Sequence, residues 1–423
     1  MLFYSTRNKS LRVSFQDAVL QGQPPDGGLY MPFEIPNLSI HHLDHAQRLS
    51  FSKLAIAASH QWLEDEEIPH NLIADALNFD APLVKLEDGL YVLELFHGPT
   101  LAFKDFGARF LAALLSYYTR SNGSQLTILV ATSGDTGSAV AAAFLGAPGI
   151  RVVLLYPSGK VSLLQEKQMT TMGQNVTALE VRGTFDDCQR MVKSAFADTD
   201  LATQLRLTSA NSINIARLLP QSFYYFRAFA QTHDFQPVAF AVPSGNFGNL
   251  TAGVLAKKMG LPVSQFIAAT NINDVVPEYL KTGTFRPRPS QHTISNAMDV
   301  GNPSNFARLL ELYGDSHQEM SSEIIGSSHT DSETRSAIRE VYDRYGYVLD
   351  PHGAVAYLAW RTTGSKPCIL LETAHPAKFS EEVESVIGRT LEMPVRLQQC
   401  LIRTKQSVVI ANTFDALKSF LLL

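Results

Sequence analysis

A lysine flanked by aromatic residues gives this chain its clearest chemical potential. Lys104 lies between Phe103 and Phe106, at the start of a stretch that predicts a helix. Burial disfavours the ammonium form of lysine, so a lysine buried among aromatic rings can supply a neutral amine near neutral pH. A neutral amine can form a Schiff base with an aldehyde. The simpler alternative is a surface lysine on a helix, with Asp105 beside it.

A Gly-rich loop predicted between a strand and a helix could bind an anion. Residues 132–139 read Thr-Ser-Gly-Asp-Thr-Gly-Ser-Ala and follow an apolar run at 126–131. Backbone N–H groups at such a junction carry partial positive charge, roughly half a unit at the helix start. Hydroxyls add donors and glycines allow close approach, so the loop would suit a carboxylate. An ordinary turn capped by Asp135 explains the same residues.

A second loop of this kind follows a predicted strand at 238–242. Residues 243–249 read Pro-Ser-Gly-Asn-Phe-Gly-Asn and lead into a predicted helix at 250–259. Glycine and asparagine suit the backbone angles of an anion-binding nest, and a phosphate monoester would fit there. The loop lacks the Gly-Lys-Ser/Thr of a Walker motif and the spacing of the dinucleotide fingerprint.

A third element ends the last predicted strand. Residues 372–378 read Glu-Thr-Ala-His-Pro-Ala-Lys and follow the apolar run 368–371. The carboxyl ends of strands in open α/β sheets face the ligand crevice. Thr373 could therefore present a neutral hydroxyl to a heterocycle nitrogen. A plain strand-end turn is the alternative.

Strand and helix patterns alternate along most of the chain after residue 88, whereas residues 1–88 mix turn-rich and helical patterns. Such alternation predicts an α/β fold in which parallel sheets are covered by helices. The predicted strands are 126–131, 151–156, 176–181, 238–242, 266–269 and 368–371. The predicted helices include 162–172, 185–196, 250–259 and a helix from 330 to 345 that begins with a capping box.

The composition indicates an ordinary globular protein. Lys plus Arg is 35 and Asp plus Glu is 40, so the formal net charge is −5 and no basic excess points to nucleic acid. No run of about 18 apolar residues predicts a membrane span, and no secretory signal is evident. Cys188, Cys368 and Cys400 lie far apart. Their spacing argues against a disulfide framework or a thiolate metal site and favours the cytoplasm, and we expect no metal.

Four motifs then occur in a characteristic order. They are Phe-His-Gly-Pro-Thr-Leu-Ala-Phe-Lys-Asp at 96–105, Ser-Gly-Asp-Thr-Gly at 133–137, Gly-Asn-Phe-Gly-Asn at 245–249 and Thr-Ala-His-Pro-Ala-Lys-Phe at 373–379. Together they resemble the threonine synthase family, pyridoxal-phosphate enzymes of the tryptophan-synthase-β-like fold (fold type II). The match is close to the bacterial and fungal branch, and it extends from Val13 to about Pro394.

The resemblance implies a role for each motif. Lys104 would bind pyridoxal 5′-phosphate as a Schiff base, and Thr373 would face the pyridine nitrogen. The wider fold family often has Asn near the cofactor 3′-oxygen, where this chain has Asp135, and a shared proton or a structural role are both open for this acid. The residues that would hold the cofactor phosphate are Gly245, Asn246, Phe247, Gly248 and Asn249. The residues that would hold the substrate carboxylate are Ser133, Gly134 and Thr136.

Further polar residues could bind a phosphate group on the substrate. Arginine suits bidentate contacts with phosphate. Capping of helix starts, with Arg217 in a structural ion pair, is the alternative. The candidates are Asn211, Ser212, Asn214, Arg217, Lys160, Ser162 and Lys378.

The resemblance also implies an activity and a domain organisation. The activity is conversion of O-phospho-L-homoserine and water to L-threonine and phosphate. A dehydratase or phospho-lyase of the same fold, or a non-catalytic phosphometabolite-binding protein, is the alternative. We expect a small-molecule substrate, no nucleic acid or membrane partner, and a monomer or weak homo-oligomer. The predicted domains are an extra N-terminal domain at 1–88, a large cofactor-binding domain at 89–125 and 220–423, and a smaller α/β domain at 126–219 that carries the carboxylate loop.

Overall fold

The structure is a computed structural model that describes residues 1–38, 49–64, 66–120, 125–132, 134–232 and 236–423. The described chain divides into two compact units, which are treated separately below. The first unit comprises Met1, Met31–Phe103 and Leu218–Glu392. The second unit comprises Leu2–Tyr30, Lys104–Arg217 and Met393–Leu423.

The strands form two larger sheets and a three-stranded sheet with the order β2-β1-β3, in which β1 pairs with β2 in antiparallel fashion. The strands in the described residues are Leu2–Ser5 (β1), Asn8–Ser14 (β2), Tyr30–Pro32 (β3), Leu83–Glu87 (β4), Leu90–Glu94 (β5), Leu126–Ala131 (β6), Ile150–Pro157 (β7), Val176–Arg182 (β8), Arg206–Ser209 (β9), Val238–Pro243 (β10), Val263–Thr270 (β11), Ile324–Ser328 (β12), Cys368–Glu372 (β13) and Val408–Ala411 (β14).

Helices connect most of these strands, and short 3-10 turns occur at Asn296–Met298 and Pro376–Phe379. The α-helices in the described residues are Phe15–Gln21 (α1), Phe51–His60 (α2), His70–Ala76 (α3), Lys104–Thr119 (α4), Asp135–Phe144 (α5), Leu163–Thr170 (α6), Phe185–Ala197 (α7), Thr199–Gln204 (α8), Ile215–Gln231 (α9), Gly248–Lys258 (α10), Val275–Thr282 (α11), Phe306–Leu312 (α12), His317–Glu323 (α13), Asp331–Tyr345 (α14), Pro351–Thr363 (α15), Ser380–Ile387 (α16), Val395–Leu401 (α17) and Phe414–Leu421 (α18).

The first unit is built on a six-stranded sheet with the order β12-β11-β10-β13-β5-β4. The pairs from β12 to β5 are parallel, and β4 joins β5 as an antiparallel edge strand. Strand β10 is buried along its whole length, as expected for a central strand with both faces covered. Helix α15 packs against β10, β11 and β13, and its Tyr357 shares an apolar core with Ile338 and Leu370.

The second unit contains a five-stranded parallel sheet with the order β14-β8-β7-β6-β9. Its core joins Leu129 and Val153 of the sheet to Met191 of α7 and Leu417 of α18. Strand β6 lies between β7 and β9, so the loops that follow these three strands leave the same edge of the sheet.

The predicted α/β fold with parallel sheets is confirmed. The six predicted strands overlap β6, β7, β8, β10, β11 and β13. The sequence patterns do not predict β5, β9, β12 or β14, because runs of four or five residues with mixed exposure carry too little periodicity.

The packing units are divided differently from the three predicted domains. Helix α4 and residues Met393–Leu423 belong to the second unit, whereas the sequence boundaries assign both to the large domain. The units are defined by packing and not by independent folding, so the three-domain division stays a prediction.

The capping box of α14 provides a stability test. The Glu333 N–H donates to Thr330 Oγ1 at 3.3 Å, and the Thr330 N–H donates to the Glu333 carboxylate at 2.7 Å. Thr330→Ala leaves donors at the helix start unsatisfied, so we expect the free energy of unfolding in urea to fall by about 1 kcal/mol. Ser336→Ala, later in the same helix, should change it by less than about 0.5 kcal/mol. Equal losses in the two variants would contradict a contribution from the cap.

Candidate active site

Lys104 is the first residue of α4, so the predicted helix start is confirmed. Asp105 and Phe106, the next two residues, are buried, whereas Lys104 itself is only partly buried. The lysine is therefore less buried than its aromatic neighbours suggest.

The chain that precedes Lys104 is fixed to the Thr373 motif within the first unit. Strands β5 and β13 are parallel neighbours, so the segments that follow them leave the sheet together. The Phe103 N–H donates to the Thr373 carbonyl at 2.8 Å. Lys378 is buried, and its Nζ donates to the Thr100 carbonyl at 3.0 Å. Two motifs that are distant in sequence are thereby joined. The predicted contact of Lys378 with a substrate phosphate stays a prediction.

The predicted phosphate loop follows β10, the other neighbour of β13. Phe247, which precedes α10, has a left-handed backbone with φ 58°. Gly245 lies against the 3-10 turn, where an added Cβ would be 2.6 Å from Met298 Cα and 2.7 Å from the Ala297 carbonyl oxygen. A side chain at this position would therefore displace backbone. The first turn of α10, beginning at Gly248, directs N–H groups without intrahelical partners toward the loop.

Asn249 contributes a buried side-chain donor at the start of α10. Its Oδ1 accepts hydrogen bonds from the Tyr224 and Tyr225 hydroxyls at 2.7 and 2.8 Å. Burial raises the pKa of both phenols well above their ordinary value, so they remain donors. The buried Nδ2 of Asn249 has no hydrogen-bond partner. An unpaired buried donor at a helix N-terminus fits an acceptor such as a phosphate oxygen.

Asn246 is held by the segment that follows the 3-10 turn. Its Oδ1 accepts from the Ser304 N–H at 2.6 Å, and its carbonyl accepts from Asn305 Nδ2 at 3.1 Å. Arg308 in turn donates to Asn305 Oδ1 at 2.8 Å. This guanidinium is fully buried, and burial lowers its pKa to about 9. The positive charge of Arg308 is therefore connected to the phosphate loop by two hydrogen bonds, through Asn305.

In the second unit, the predicted carboxylate loop follows β6. Thr132 Oγ1 accepts from the N–H groups of Gly134 and Gly137 at 3.1 and 2.8 Å, which folds the loop over the start of α5. Gly134 has φ 148°, in a region that favours glycine. Thr136 is half-buried, and Ser133 lies outside the described residues.

Gln165 of α6 supports this loop, and the sequence reading did not identify it. Its Nε2 donates to Asp135 Oδ1 at 3.1 Å, and an added Cβ at Gly134 would be 2.5 Å from its Cδ. Ser162 caps α6 by accepting from the Gln165 N–H at 3.3 Å. Lys160 is exposed in the loop between β7 and α6. The proposed substrate contacts of Ser162 and Lys160 stay predictions.

The residues after β9 divide into two environments. Asn211 Nδ2 donates to the Ala131 carbonyl at 3.0 Å, while its buried Oδ1 has no partner. Ser212 is half-buried. Asn214 is fully buried, and within the described residues its amide bonds to backbone groups, including the Val19 carbonyl at 3.0 Å. Asn211 therefore keeps an acceptor at the sheet edge, whereas these contacts of Asn214 are structural.

Arg217 is buried against α4. An added Cβ at Gly107 would be 2.7 Å from the Arg217 carbonyl oxygen, and the guanidinium donates to the Ala210 carbonyl. Burial lowers the pKa of Arg217 to about 10, against the opposing effect of Asp105. These contacts position α4, and a contact of Arg217 with a substrate phosphate stays a prediction.

A buried acid–histidine group lies beside the Thr373 motif and was also not identified from sequence. Asp350 caps α15, and its carboxylate contacts His352 Nδ1 at 2.7 Å. Its other oxygen accepts from the Ala374 N–H at 3.0 Å. Burial, with Asp350 nearby, raises the pKa of Glu372 well above its ordinary value. The sequence signal was Asp-Pro at 350–351, a helix start with Pro at its first position.

His375 lines a surface cleft of about 280 Å³ in the first unit, together with Glu94, Phe96 and Tyr347. Its Nδ1 accepts from the Ala377 N–H at 3.1 Å, and its ring meets Phe96 edge to face at 5.2 Å. Burial lowers the pKa of His375. The neutral ring therefore carries its proton on Nε2.

The described ranges of the chain contain neither a candidate metal site nor a membrane-spanning helix. His, Cys, Asp and Glu side chains form no group of three that could hold a metal ion. Within the same ranges, no helix is long and apolar enough to cross a membrane.

Comparison with known proteins identifies the family. The model "Pyridoxal-phosphate dependent enzyme" matches residues 76–366. The models "Threonine synthase N terminus" and "Threonine synthase, C-terminal" match residues 2–78 and 353–421. Together the three models span nearly the whole chain.

Individual relatives agree with these models. The chain is 45% identical to threonine synthase of Haemophilus influenzae, over 100% of both chains. It is similar to the crystal structure of Escherichia coli threonine synthase, with TM-score 0.93, 43% identity and coverage of 100% and 99%. The crystal structure of PLP-bound threonine synthase from Brucella melitensis also matches, with TM-score 0.93, 36% identity and coverage of 99% and 98%. The chain therefore belongs to the threonine synthase family of pyridoxal-phosphate-dependent enzymes.

Proposed function

We propose that this protein converts O-phospho-L-homoserine and water to L-threonine and phosphate. The observation that carries the proposal is 45% identity over the full length of a threonine synthase, with each of the four motifs intact. The geometry supports it, because the Thr373 motif, the phosphate loop and the carboxylate loop each follow a strand whose neighbours are parallel to it.

The residues present fit pyridoxal phosphate. Lys104 would bind the cofactor covalently, and Thr373 would contact the ring nitrogen. Asp135, held by Gln165 at 3.1 Å, would lie near the 3′-oxygen. When bound, the cofactor supplies an electron sink for carbanions at the substrate. The residues that would hold its phosphate are Gly245, Asn246, Phe247, Gly248 and Asn249.

The chain itself would supply placement and proton transfer. The loop of Gly134 and Thr136 offers N–H and hydroxyl donors for the substrate carboxylate. Lys104, as a free amine once substrate is bound, would take protons from the α- and β-carbons and return protons to the γ- and α-carbons. Water would add at the β-carbon after the γ-phosphate departs.

We further propose that the protein acts in the cytoplasm on a small molecule, without nucleic acid, as a monomer or weak homo-oligomer. The support is compositional. Cys188, Cys368 and Cys400 are buried free thiols, which suits a reducing compartment. The net charge of −5 gives no basic excess for nucleic acid.

Product analysis tests the reaction directly. We expect the purified protein, incubated with O-phosphohomoserine, to release phosphate and threonine in equal amounts, with little ammonia. In isotopically labelled water, the label should appear in the β-hydroxyl. Stoichiometric ammonia and keto acid without threonine would show a dehydratase instead. A protein that stays colourless with added pyridoxal phosphate and releases no product would support a binding protein.

Lys104 can be tested by trapping. Borohydride should fix the cofactor covalently, and mass mapping should place it on the peptide that contains Lys104. Lys104→Ala should lower turnover on the order of 10³-fold or more, because both the covalent attachment and the proton carrier are lost. Lys193→Ala, at an exposed lysine of α7, should change neither result. An adduct on another lysine would overturn the assignment.

Gly245 can be tested by filling the space at the phosphate loop. Gly245→Ala should weaken binding of pyridoxal phosphate by about tenfold or more, because the new methyl group displaces the loop from the 3-10 turn. Gly326→Ala is the matched control, since its Cβ would likewise be 2.6 Å from a backbone atom, Pro277 Cα, but lies in β12. The control should lower stability and leave affinity nearly unchanged. Equal affinity of both variants in spectroscopic titration would exclude this loop as the phosphate site.

A further inference from the structure

The position of the phosphate loop depends on the 3-10 turn beneath it. Gly245 approaches Met298 and Ala297 so closely that no Cβ fits between them. Backbone contacts at this distance transmit displacement, because close-packed atoms cannot be compressed. A shift of the 3-10 turn by a few tenths of an ångström would therefore move Gly245.

One side chain of α15 fixes the backbone of this turn. The Ala297 N–H donates to His352 Nε2 at 3.3 Å. His352 is buried, and its ring packs edge to face against Phe379 at 5.0 Å. Since Nε2 accepts, the proton of the neutral ring lies on Nδ1 and is donated to Asp350 at 2.7 Å. Asp350 thus sets the tautomer that Ala297 requires.

Asp350 also holds the turn at Thr373. The second oxygen of the Asp350 carboxylate accepts from the Ala374 N–H at 3.0 Å, next to Thr373. Asp350 is fully buried and also accepts from the Gly353 N–H at 3.3 Å. One carboxylate therefore links the Thr373 turn to the ring of His352.

A separate network holds both ends of the 3-10 turn, because Asn271 Nδ2 also donates to Ser295 Oγ at 3.1 Å, just before the turn. Asp299 accepts from Asn271 Nδ2 at 2.9 Å and from the Thr293 N–H at 3.0 Å. This network connects the segment to the end of β11, but it does not reach Ala297. The contact of His352 with Ala297 therefore makes a separate contribution at the point where Gly245 packs.

We infer that His352 is a positioning residue for the phosphate loop. It acts through the Ala297 N–H on Gly245, in the tautomer set by Asp350, and it touches neither cofactor nor substrate. The inference rests on the proposed function, in which residues 245–249 bind the cofactor phosphate. It requires the acceptor at Nε2, and not merely a buried ring at this place.

Two conservative variants of His352 separate the effect of an acceptor at Nε2 from the effect of a buried side chain at this position. In His352→Gln, the amide oxygen can reach the place of Nε2 and accept from Ala297. In His352→Asn, the shorter amide can reach Asp350 but not Ala297. Each apoprotein is titrated with pyridoxal phosphate and with pyridoxal, which lacks the phosphate. The ratio of the two affinities isolates the contribution of the loop.

We expect His352→Asn to lower this ratio by about threefold to tenfold, the range for one hydrogen bond, and His352→Gln to stay within about twofold of wild type. His329→Asn is the matched control, because His329 is a buried histidine of the same unit that bonds to Ser327 at 2.8 Å. It should leave the ratio unchanged.

Equal ratios for wild type and both His352 variants would overturn the inference, and so would equal losses in both. If His352→Asn does not fold, His352→Leu, which fills the same space without an acceptor, replaces it and should lower the ratio by the same factor. Gly245→Ala distinguishes the inferred role of His352 from the proposed role of the phosphate loop. A reduced ratio in Gly245→Ala with no effect in His352→Asn would refute only the role of His352. An unchanged ratio in Gly245→Ala would refute the phosphate loop itself.

Discussion

The parallel pairing of β5 with β13 is the constraint on which the candidate site of the first unit depends. Its register sets Glu94 opposite Glu372, so the segments that follow both strands leave the sheet side by side. Main-chain hydrogen bonds continue this pairing beyond the strands, from Phe103 to Thr373. The backbone before Lys104 is therefore held by main-chain hydrogen-bonding groups and not by particular side chains. Strand β10 places the phosphate loop on the other side of β13.

Buried polar groups then fix the loops that leave this sheet. Burying a charge is costly unless hydrogen bonds compensate for the lost hydration. Arg308 and Asp350 are both fully buried, and each is one or two hydrogen bonds from a loop that the family resemblance assigns to the cofactor. Apolar packing is not directional, whereas these bonds are. We interpret the buried charges as fixing loop positions that an apolar core would leave less defined.

The architecture alone does not specify the reaction. One fold can host many unrelated reactions, because the chemistry is set by the residues of the site. Threonine synthesis is instead indicated by full-length identity with threonine synthases and by the chemistry of the loops.

The sequence by itself determined the α/β class, the six strands that overlap the predictions, the start of α4 and the cap of α14. These features depend on periodicity and on local hydrogen bonds, which neighbouring residues specify. The four motifs also carried the family resemblance, because they are contiguous runs. Short strands such as β9 were not predicted from the sequence, because four residues carry almost no periodic signal.

Only the tertiary structure decided which residues support the motifs. Gln165 contacts Asp135, and His352 contacts Ala297, through bonds between segments that are far apart in the chain. It also decided that Asn214 and Lys378 contact backbone carbonyls within the protein. An amide or an ammonium group has the same donors whether it meets substrate or backbone. Its partner is set by strand order and packing, which are non-local and leave no periodic trace in the sequence.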